Sequence, residues 1–201
     1  MRAMTATTLR EEHANVTRQR ILAAVAELLE RGGPEELTVP DVAEASGVSL
    51  RTVYRYYPTR DELLEAAGRW IGAELLHSPY PQTLDEVATV IADGCRRFDD
   101  HPGLVRSLAL SELGRDVRAT RRGERLAAIE QALRAEVGGL PEDELRRAQA
   151  ILGYLHNMLA YTTLREEGGL NGEQAGEAVA WAIGTLVEDL RRRHASMGGT
   201  Q

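Results

Sequence analysis

Residues 46–60 carry three arginines and no acidic residue, although the whole chain has a formal net charge of −7. Several of these positions are expected on the outer face of one short helix. The members of that face are Ser49, Leu50, Arg51, Thr52 and Arg55. A guanidinium group can form a bidentate pair with guanine, and an apolar side chain can contact the methyl group of thymine. The pattern therefore predicts a surface that reads base edges in the major groove of DNA.

A second set of side chains beside this face is suited to phosphate oxygens. Thr52, Tyr54 and Tyr56 supply hydroxyl groups, and Arg60 supplies a charge. Thr38 is expected at a helix N-terminus, where backbone N–H groups favour an anion. The alternative for the tyrosines is packing between helices, and the alternative for the arginines is a solvated helix face. Leu50 would then be an incidental surface residue.

Local signals define the helices that position these residues. Thr38, followed by Asp41, predicts a helix start, and Gly47 fits the left-handed conformation that follows a helix. Pro58 ends the second short helix because the residue before a proline disfavours the helical conformation. Residues 59–62 read Thr-Arg-Asp-Glu, a capping box that starts a longer helix over residues 59–77. Two short helices joined by a tight glycine-containing turn form a helix-turn-helix. Tyr57 is expected to point inward.

The run Thr-Val-Tyr-Arg-Tyr-Tyr-Pro-Thr-Arg-Asp-Glu-Leu at residues 52–63 resembles the TetR family of bacterial transcriptional regulators. The resemblance covers roughly residues 18–75. It implies a homodimeric repressor whose variable C-terminal domain binds a small molecule and releases the operator. It also implies that residues 49–56 form the recognition helix, with Tyr54 and Arg60 at phosphate-contact positions. Pro58 departs from the lysine or phenylalanine-lysine often found in this turn, which removes one possible phosphate contact.

The rest of the chain shows helical periodicity and no strand signal. The sequence predicts an all-α protein of about nine helices, in which an N-terminal helix-turn-helix precedes a helical bundle. We expect a flexible arm over residues 1–16, a DNA-binding domain over 17–58, a connecting helix over 59–77 and a ligand-binding and dimerisation domain over 78–201. The last two helices are expected at about 141–167 and 173–194. This part resembles the family only in the number and order of its helices.

Two faces of the C-terminal helices carry further predictions. One is a cavity wall for a ligand, and its alternative is plain core packing. Its residues are Phe98, Leu104, Leu108, Tyr154, Asn157, Met158 and Tyr161. The other is a dimer interface, required because the last helix is apolar on nearly every side and needs a cover all round; its alternative is an interior helix in a monomer. Its residues are Leu152, Leu155, Leu159, Ala180, Trp181, Ile183 and Gly184.

Composition excludes several classes of site. All 24 basic residues are arginine, so lysine-dependent phosphate loops and Schiff bases are excluded. The single cysteine, Cys95, rules out an internal disulfide or a thiolate zinc site. We expect no metal, no cofactor, no membrane segment and a cytoplasmic location.

Three functions remain open. The first is a dimeric repressor that binds an inverted-repeat DNA operator and is released by a small-molecule effector. Residues 1–77 hold nine arginines and twelve acidic residues, a net charge of −3, so strong binding would need two units engaged together. The second is a ligand- or partner-sensing module without operator binding, which that acidity favours. The third, an enzyme using His101 or His156, has no supporting motif.

Overall fold

The computed structural model describes residues 9–75 and 79–198, which form ten α-helices and no strand. The all-α prediction is confirmed, with one helix more than expected. The helices are α1 (Leu9–Arg31), α2 (Val39–Ser46), α3 (Leu50–Tyr56), α4 (Arg60–Glu74), α5 (Leu84–Asp99), α6 (Pro102–Leu110), α7 (Glu112–Val137), α8 (Glu142–Leu155), α9 (Met158–Glu166) and α10 (Gly172–Gly198). Within the described ranges, every helix is too short or too polar to cross a membrane.

The first helix begins earlier than the sequence suggested. Residues 9–16, expected in a flexible arm, form the first turns of α1, and residues 1–8 lie outside the described part of the chain. Glu11 and Glu12 lie in the first turn, where acidic side chains favour the positive end of the helix dipole. Further along α1, Ile21, Val25 and Leu29 are fully buried and anchor it in the core.

The helix boundaries in the middle of the chain differ from those predicted. Gly114 lies inside α7, near its start, although glycine disfavours a helix interior. Ser111 caps this helix by accepting a hydrogen bond from the N–H of Gly114 at 3.1 Å. The helix expected over 141–167 is interrupted at His156 and Asn157, where α8 ends and α9 begins. Asn157 starts the new helix by accepting the N–H of Leu159 at 3.2 Å.

Helices α5 and α10 approach each other closely because two glycines lie in their contact. A Cβ atom at Gly172 would lie 2.6 Å from the carbonyl oxygen of Cys95, and one at Gly176 would lie 2.9 Å from that of Ala92. Both distances are shorter than side chains normally tolerate against backbone atoms. The two backbones are therefore in near-direct contact along this pair.

The N-terminal unit is attached to the C-terminal bundle mainly where α1 meets α6. The Ser107 hydroxyl on α6 donates a hydrogen bond to the carbonyl oxygen of Leu29 at 3.0 Å. The carboxylate of Glu30 accepts the N–H groups at the start of α6, from Gly103 and Leu104. The last turn of α1 is thus fastened directly to α6.

Candidate nucleic-acid interface and ligand cavity

Side-chain caps fix the two short helices of the helix-turn-helix. At the start of α2, the Thr38 hydroxyl accepts the N–H of Asp41 and donates to its carboxylate, which forms the predicted capping box. The helix ends at Gly47, which adopts a left-handed φ of 62°. Ser49 then caps α3, and its hydroxyl lies 2.9 Å from that of Thr52. The turn at Gly47 and the cap at Thr38 lie where the sequence placed them, whereas the capping role of Ser49 was not predicted.

The outer face of α3 is open to solvent. Leu50, Arg51, Tyr54 and Arg55 are exposed, and Leu50 exposes 41% of its surface. On the inner face, Val53 is fully buried and anchors the helix to the core. The structure thus brings the predicted base-reading residues together on one surface.

Tyr56 is half-buried beside this surface and is flanked by two cations. The guanidinium carbons of Arg18 and Arg55 each lie 5.3 Å from the centre of its ring. Such cation–π contacts hold the three side chains together while leaving the charges near the surface. Tyr57 is half-buried as expected, and its burial raises the pKa of its hydroxyl. Tyr56 and Tyr57 therefore differ in role although they are adjacent.

Arg60 is placed differently from the expectation of a free phosphate contact. Its Nε donates to the carbonyl oxygen of Leu37 at 3.0 Å, and its Nη2 donates to that of Pro34. These bonds tie the start of α4 to the segment that precedes α2. The structure therefore gives Arg60 a positioning role, because two of its N–H donors are engaged by backbone.

A second arginine with such a role was missed by the sequence reasoning. The Nη2 of Arg20 on α1 donates to the carbonyl oxygen of Ser46 at 2.7 Å, beside the turn at Gly47. This bond fixes the last turn of α2 against α1. Its sequence separation of 26 residues leaves no local pattern from which it could be predicted.

A cavity of about 80 Å³ lies among α4, α5, α6, α7 and the α8–α9 junction. It is lined by four of the predicted ligand-binding residues: Phe98, Leu108, Asn157 and Met158. Leu104, Tyr154 and Tyr161, the other three, are not among its lining residues.

The misplacement of the two tyrosines follows from the break in the helix. In a continuous helix Tyr154, Met158 and Tyr161 would share a face, but the interruption at His156 changes the direction of the chain. Tyr154 is 51% exposed on the outside. Tyr161 is buried elsewhere, with its ring centre 5.4 Å from that of Phe98 and its hydroxyl donating to Asp99 at 3.1 Å. The prediction of Tyr154 as a cavity wall is therefore wrong in its geometry.

Three arginines and one histidine in the cavity were not predicted. Arg118, Arg121 and Arg125 line it from α7, and His156 lines it from the end of α8. His156 is only 6% exposed, and burial together with Arg125 and Arg121 lowers its pKa to about 4. It is therefore neutral at pH 7. Their spacing of three and four residues, which places them on one helix face, is the signal that could have found these arginines.

The predicted dimer residues divide between the interior and the surface. Leu152 and Ile183 are fully buried within their own chain, so they cannot contact a partner directly, and those two assignments are corrected. Leu155, Leu159, Ala180 and Gly184 are half-buried, and a Cβ at Gly184 would meet open space. Trp181 is 75% exposed.

Exposed apolar side chains on α8 and α10 complete this surface. Ile151 and Tyr154 are exposed on α8, near a groove of about 570 Å³ between the two helices. Leu186 and Leu190 of α10 line the same groove. The orientation of α8 therefore exposes Ile151 and Tyr154 on the surface for which the sequence had predicted Leu152, the dimer interface. Tyr154 and Trp181 are exposed on the same two helices but do not line the groove. We call Ile151, Tyr154, Trp181, Leu186 and Leu190 together the α8–α10 face.

Comparison with known proteins gives the N-terminal unit a family. Residues 21–67 match the model of bacterial regulatory proteins, tetR family. The HTH-type transcriptional repressor KstR of Rhodococcus jostii strain RHA1 is 28% identical over 156 residues, which is 74% of this chain and 74% of that protein.

Solved structures share the fold over most of the chain. A tetR-family transcriptional regulator from Streptomyces coelicolor covers 92% of this chain and 86% of its own, with a TM-score of 0.64 and 18% identity. NalD of Pseudomonas aeruginosa, the secondary repressor of the MexAB-OprM multidrug efflux pump, has a TM-score of 0.62 and 18% identity, and covers 86% of this chain and 95% of its own.

A third neighbour was solved with a ligand. FadR of Bacillus subtilis, in complex with stearoyl-CoA, has a TM-score of 0.62 and 16% identity, and covers 82% of this chain and 96% of its own. These likenesses show a common fold over most of the chain. The helix-turn-helix unit, residues 21–67, matches bacterial regulatory proteins of the tetR family, and the chain is similar to the transcriptional repressor KstR.

Proposed function

We propose that the protein is a dimeric repressor that binds an inverted-repeat operator through α3 and is released by a small molecule bound in the α7 cavity. The observation that carries this proposal is the solvent-exposed face of α3, with two arginines and an exposed leucine on a helix that is anchored by a buried valine. An exposed leucine beside an exposed arginine suits a surface that contacts the methyl group of thymine and the edge of guanine.

The roles of the α3 residues follow from their positions. Arg51 and Leu50 lie at the amino end of the helix, the part that contacts base edges in the helix-turn-helix arrangement. Ser49, Thr52 and Arg55 flank them on the same face. Tyr54, Tyr56 and the backbone at Thr38 are suited to phosphates, which position the protein without specifying sequence.

Dimerisation would occur through the α8–α10 face. A helix pair from each of two copies forms a four-helix contact in which each patch meets its own equivalent. The dimer then presents two copies of α3, which must lie about 34 Å apart to enter successive major grooves. Two units binding together compensate for the net negative charge of each N-terminal unit. In this proposal residues 17–58 bind DNA, 59–77 form the connection and 78–201 bind the ligand and dimerise.

The effector would act through α6 and α4, both of which line the cavity. Leu108 of α6 and Gly72 of α4 face the ligand space, and the other end of α6 is held by Glu30 of the DNA-reading unit. The structure of FadR in complex with stearoyl-CoA supports the proposal that a protein of this fold binds a small molecule. A ligand that fits only one spacing of the two DNA-reading units of the dimer shifts the equilibrium between the DNA-binding and the released conformation. Moving that equilibrium from 1:99 to 99:1 needs about 5.5 kcal/mol of difference in ligand binding free energy between the two conformations.

The second candidate function is a sensing module without operator binding, which the acidity of residues 1–77 favours. An enzyme is disfavoured because the family consists of regulators. A regulator that reads chromosomal DNA would act in the cytoplasm.

Fluorescence anisotropy with DNA from upstream of its own gene tests the proposal, with scrambled DNA as the control. We expect tight binding of one dimer to an inverted repeat, which weakens steeply as the salt concentration rises. Arg51→Ala should reduce affinity and relax base preference by about 1–3 kcal/mol at one position. Arg146→Ala, an exposed arginine of α8, is the matched control.

If neither DNA is preferred, selection from a genomic fragment library replaces the single site. A folded dimer that enriches no fragment would overturn the repressor and leave the sensing module. Preserved specificity in Arg51→Ala would show that another element reads the bases.

A further inference from the structure

We propose that the effector is an anion, a carboxylate or phosphoryl group on an apolar body, held by Arg118, Arg121 and Arg125 in the α7 cavity. That this anion regulates DNA binding rests on the proposed function, whereas its binding in the cavity does not. The proposal deepens that function by naming the chemical class of the ligand.

The three arginines project from one face of α7. Their spacing of three and then four residues places them one above another on a helix, and all three line the cavity. Arg121 lies between the others, and its guanidinium carbon is 5.5 Å from the centre of the Tyr80 ring. The cavity wall therefore carries three positive charges within two turns of one helix.

The described residues that line the cavity include no acidic side chain to balance these charges. Glu124 accepts the Tyr80 hydroxyl at 2.6 Å from an exposed position. The Nη1 atoms of Arg118 and Arg121 donate to the carbonyl oxygens of Leu108 and Gly72, respectively. These contacts fix the two side chains in the cavity wall.

Two buried polar atoms at the site have no hydrogen-bond partner among the described residues. One is the Nε of Arg125, and the other is the Nε2 of His156. Buried polar atoms nearly always have a hydrogen-bond partner, so two such atoms without one in the same cavity indicate that a ligand supplies it. Burial, and then the neighbouring Arg122 and Arg121, lower the pKa of Arg125, in keeping with a cation placed among other cations. A bound anion supplies the charge and a hydrogen-bond acceptor for the Nε–H group of Arg125.

The amino end of α9 adds to this preference. Asn157 and Met158, at its start, line the cavity opposite the arginines. A helix of nine residues presents its positive dipole end there. Arginine charges and helix end together favour an anion over a neutral polar group.

The remaining walls select the body of the ligand. Ile91, Phe98, Leu108 and Met158 are apolar, so one side of the ligand is bound by burial rather than by hydrogen bonds. The volume of about 80 Å³ is small beside the 300–1,000 Å³ of a drug-sized pocket. The ligand is therefore compact, or it extends past Pro79 and Tyr80 at the rim.

Isothermal titration calorimetry on the full chain tests the charge requirement. The probes are benzoate and phenyl phosphate, with benzamide and benzyl alcohol as neutral counterparts of nearly the same shape. We expect at least one anion to bind at least tenfold more tightly than both neutral compounds. Arg118→Gln and Arg125→Gln should each weaken that anion at least tenfold. Arg122→Gln, an exposed neighbour on α7 outside the cavity lining, should change affinity less than twofold.

A second measurement guards against loss of folding. Because an unbalanced buried cation is unfavourable, Arg125→Met should raise the melting temperature of the ligand-free protein while abolishing the stabilisation by the anion. Equal affinity for the neutral compounds, no binding of either anion, or a lower melting temperature for Arg125→Met would each overturn the proposal.

The calorimetry contains no DNA, so its outcome is independent of the repressor function. Anion binding without any operator binding would contradict only the proposed function. Operator binding that neither anion affects, in a protein that binds neither anion, would contradict only the inference about the ligand.

Discussion

Glu30 of α1 accepts a hydrogen bond from the backbone N–H of Gly103 at 3.0 Å, so a side chain of the DNA-reading unit caps the first turn of α6. The same carboxylate accepts the N–H of Leu104 at 2.8 Å. A Cβ atom at Gly103 would lie 2.1 Å from the carbonyl oxygen of Glu30, so the two helices are in backbone contact. A shift of α6 caused by a ligand must therefore move α1 with it.

Changing Glu30 tests this joint. Glu30→Ala removes a half-buried carboxylate from two N–H groups and should cost about 1–3 kcal/mol of unfolding free energy, measured by urea denaturation. Gly103→Ala should cost more, because its added methyl group meets backbone rather than a flexible side chain. Glu27→Ala is the control, since Glu27 is exposed and its pair with Arg31 spans 3.8 Å. Equal stability of Glu30→Ala and wild type would mean that water replaces the cap.

Removing Arg60 should affect stability as well as DNA affinity. Arg60→Ala leaves the carbonyl oxygens of Leu37 and Pro34 without their donor, with an expected loss of about 1–2 kcal/mol. DNA affinity should fall for all sequences alike because α2 is no longer held in place. Urea denaturation and anisotropy measure the two effects. Arg51→Ala serves as the comparison, because its side chain is exposed and its loss should leave stability unchanged. An Arg60→Ala variant with wild-type stability would return this residue to a simple phosphate contact.

The α8–α10 face predicts a dimer that depends on Trp181. A tryptophan that is 75% exposed in one chain becomes a large contact when a second copy covers it. Trp181→Ala should weaken dimerisation by about 2 kcal/mol or more, roughly thirtyfold in the dissociation constant, as read by sedimentation equilibrium. Met197→Ala, also exposed on α10, is the control. A wild-type protein that sediments as a monomer at micromolar concentration would refute the interface.

Acidification should destabilise the protein through His156. Burial lowers its pKa to about 4 in the folded state, against an ordinary value of 6.5. The unfolded chain therefore binds a proton between these values that the folded chain does not, so stability is highest above pH 6.5 and falls as the pH drops towards 4. Between pH 7.5 and pH 5 the contribution is about 2 kcal/mol.

Urea denaturation at the two pH values measures this loss. Carboxylates also protonate in this range, so the test is a difference between variants. His156→Gln should show a smaller loss of stability on acidification than wild type, whereas His13→Gln, at an exposed position, should not. Identical pH profiles for His156→Gln and wild type would show that water reaches the ring.

The DNA-reading unit was predictable because its signals are local. Thr38, Gly47, Ser49 and Pro58 each act on the backbone within a few residues, through a cap, a left-handed turn or a steric clash. Such signals survive whatever the rest of the chain does. The exposed face of α3 then follows from helical periodicity alone.

The cavity was harder to predict because it depends on one interruption. No proline or glycine marks the break between α8 and α9, and its local signal was the capping ability of Asn157. Because that break was not predicted, Tyr154 and Tyr161 were assigned to the wall of the ligand cavity, which neither residue lines. The contacts of Arg20 and Arg60 were unpredictable for another reason, since long side chains reach carbonyl oxygens far away in sequence.

The close contact between α5 and α10 divides the bundle into fixed and movable parts. At Gly172 and Gly176, the first turns of α10 lie against the backbone of α5 with no side chain between them that could be repacked. Sliding one along the other would drive backbone into backbone. The α5–α10 pair is therefore expected to move as one rigid unit. In the proposed mechanism, ligand binding would displace the other helices that line the cavity, α4, α6 and α7. Of these, α4 and α6 contact α1 of the DNA-reading unit.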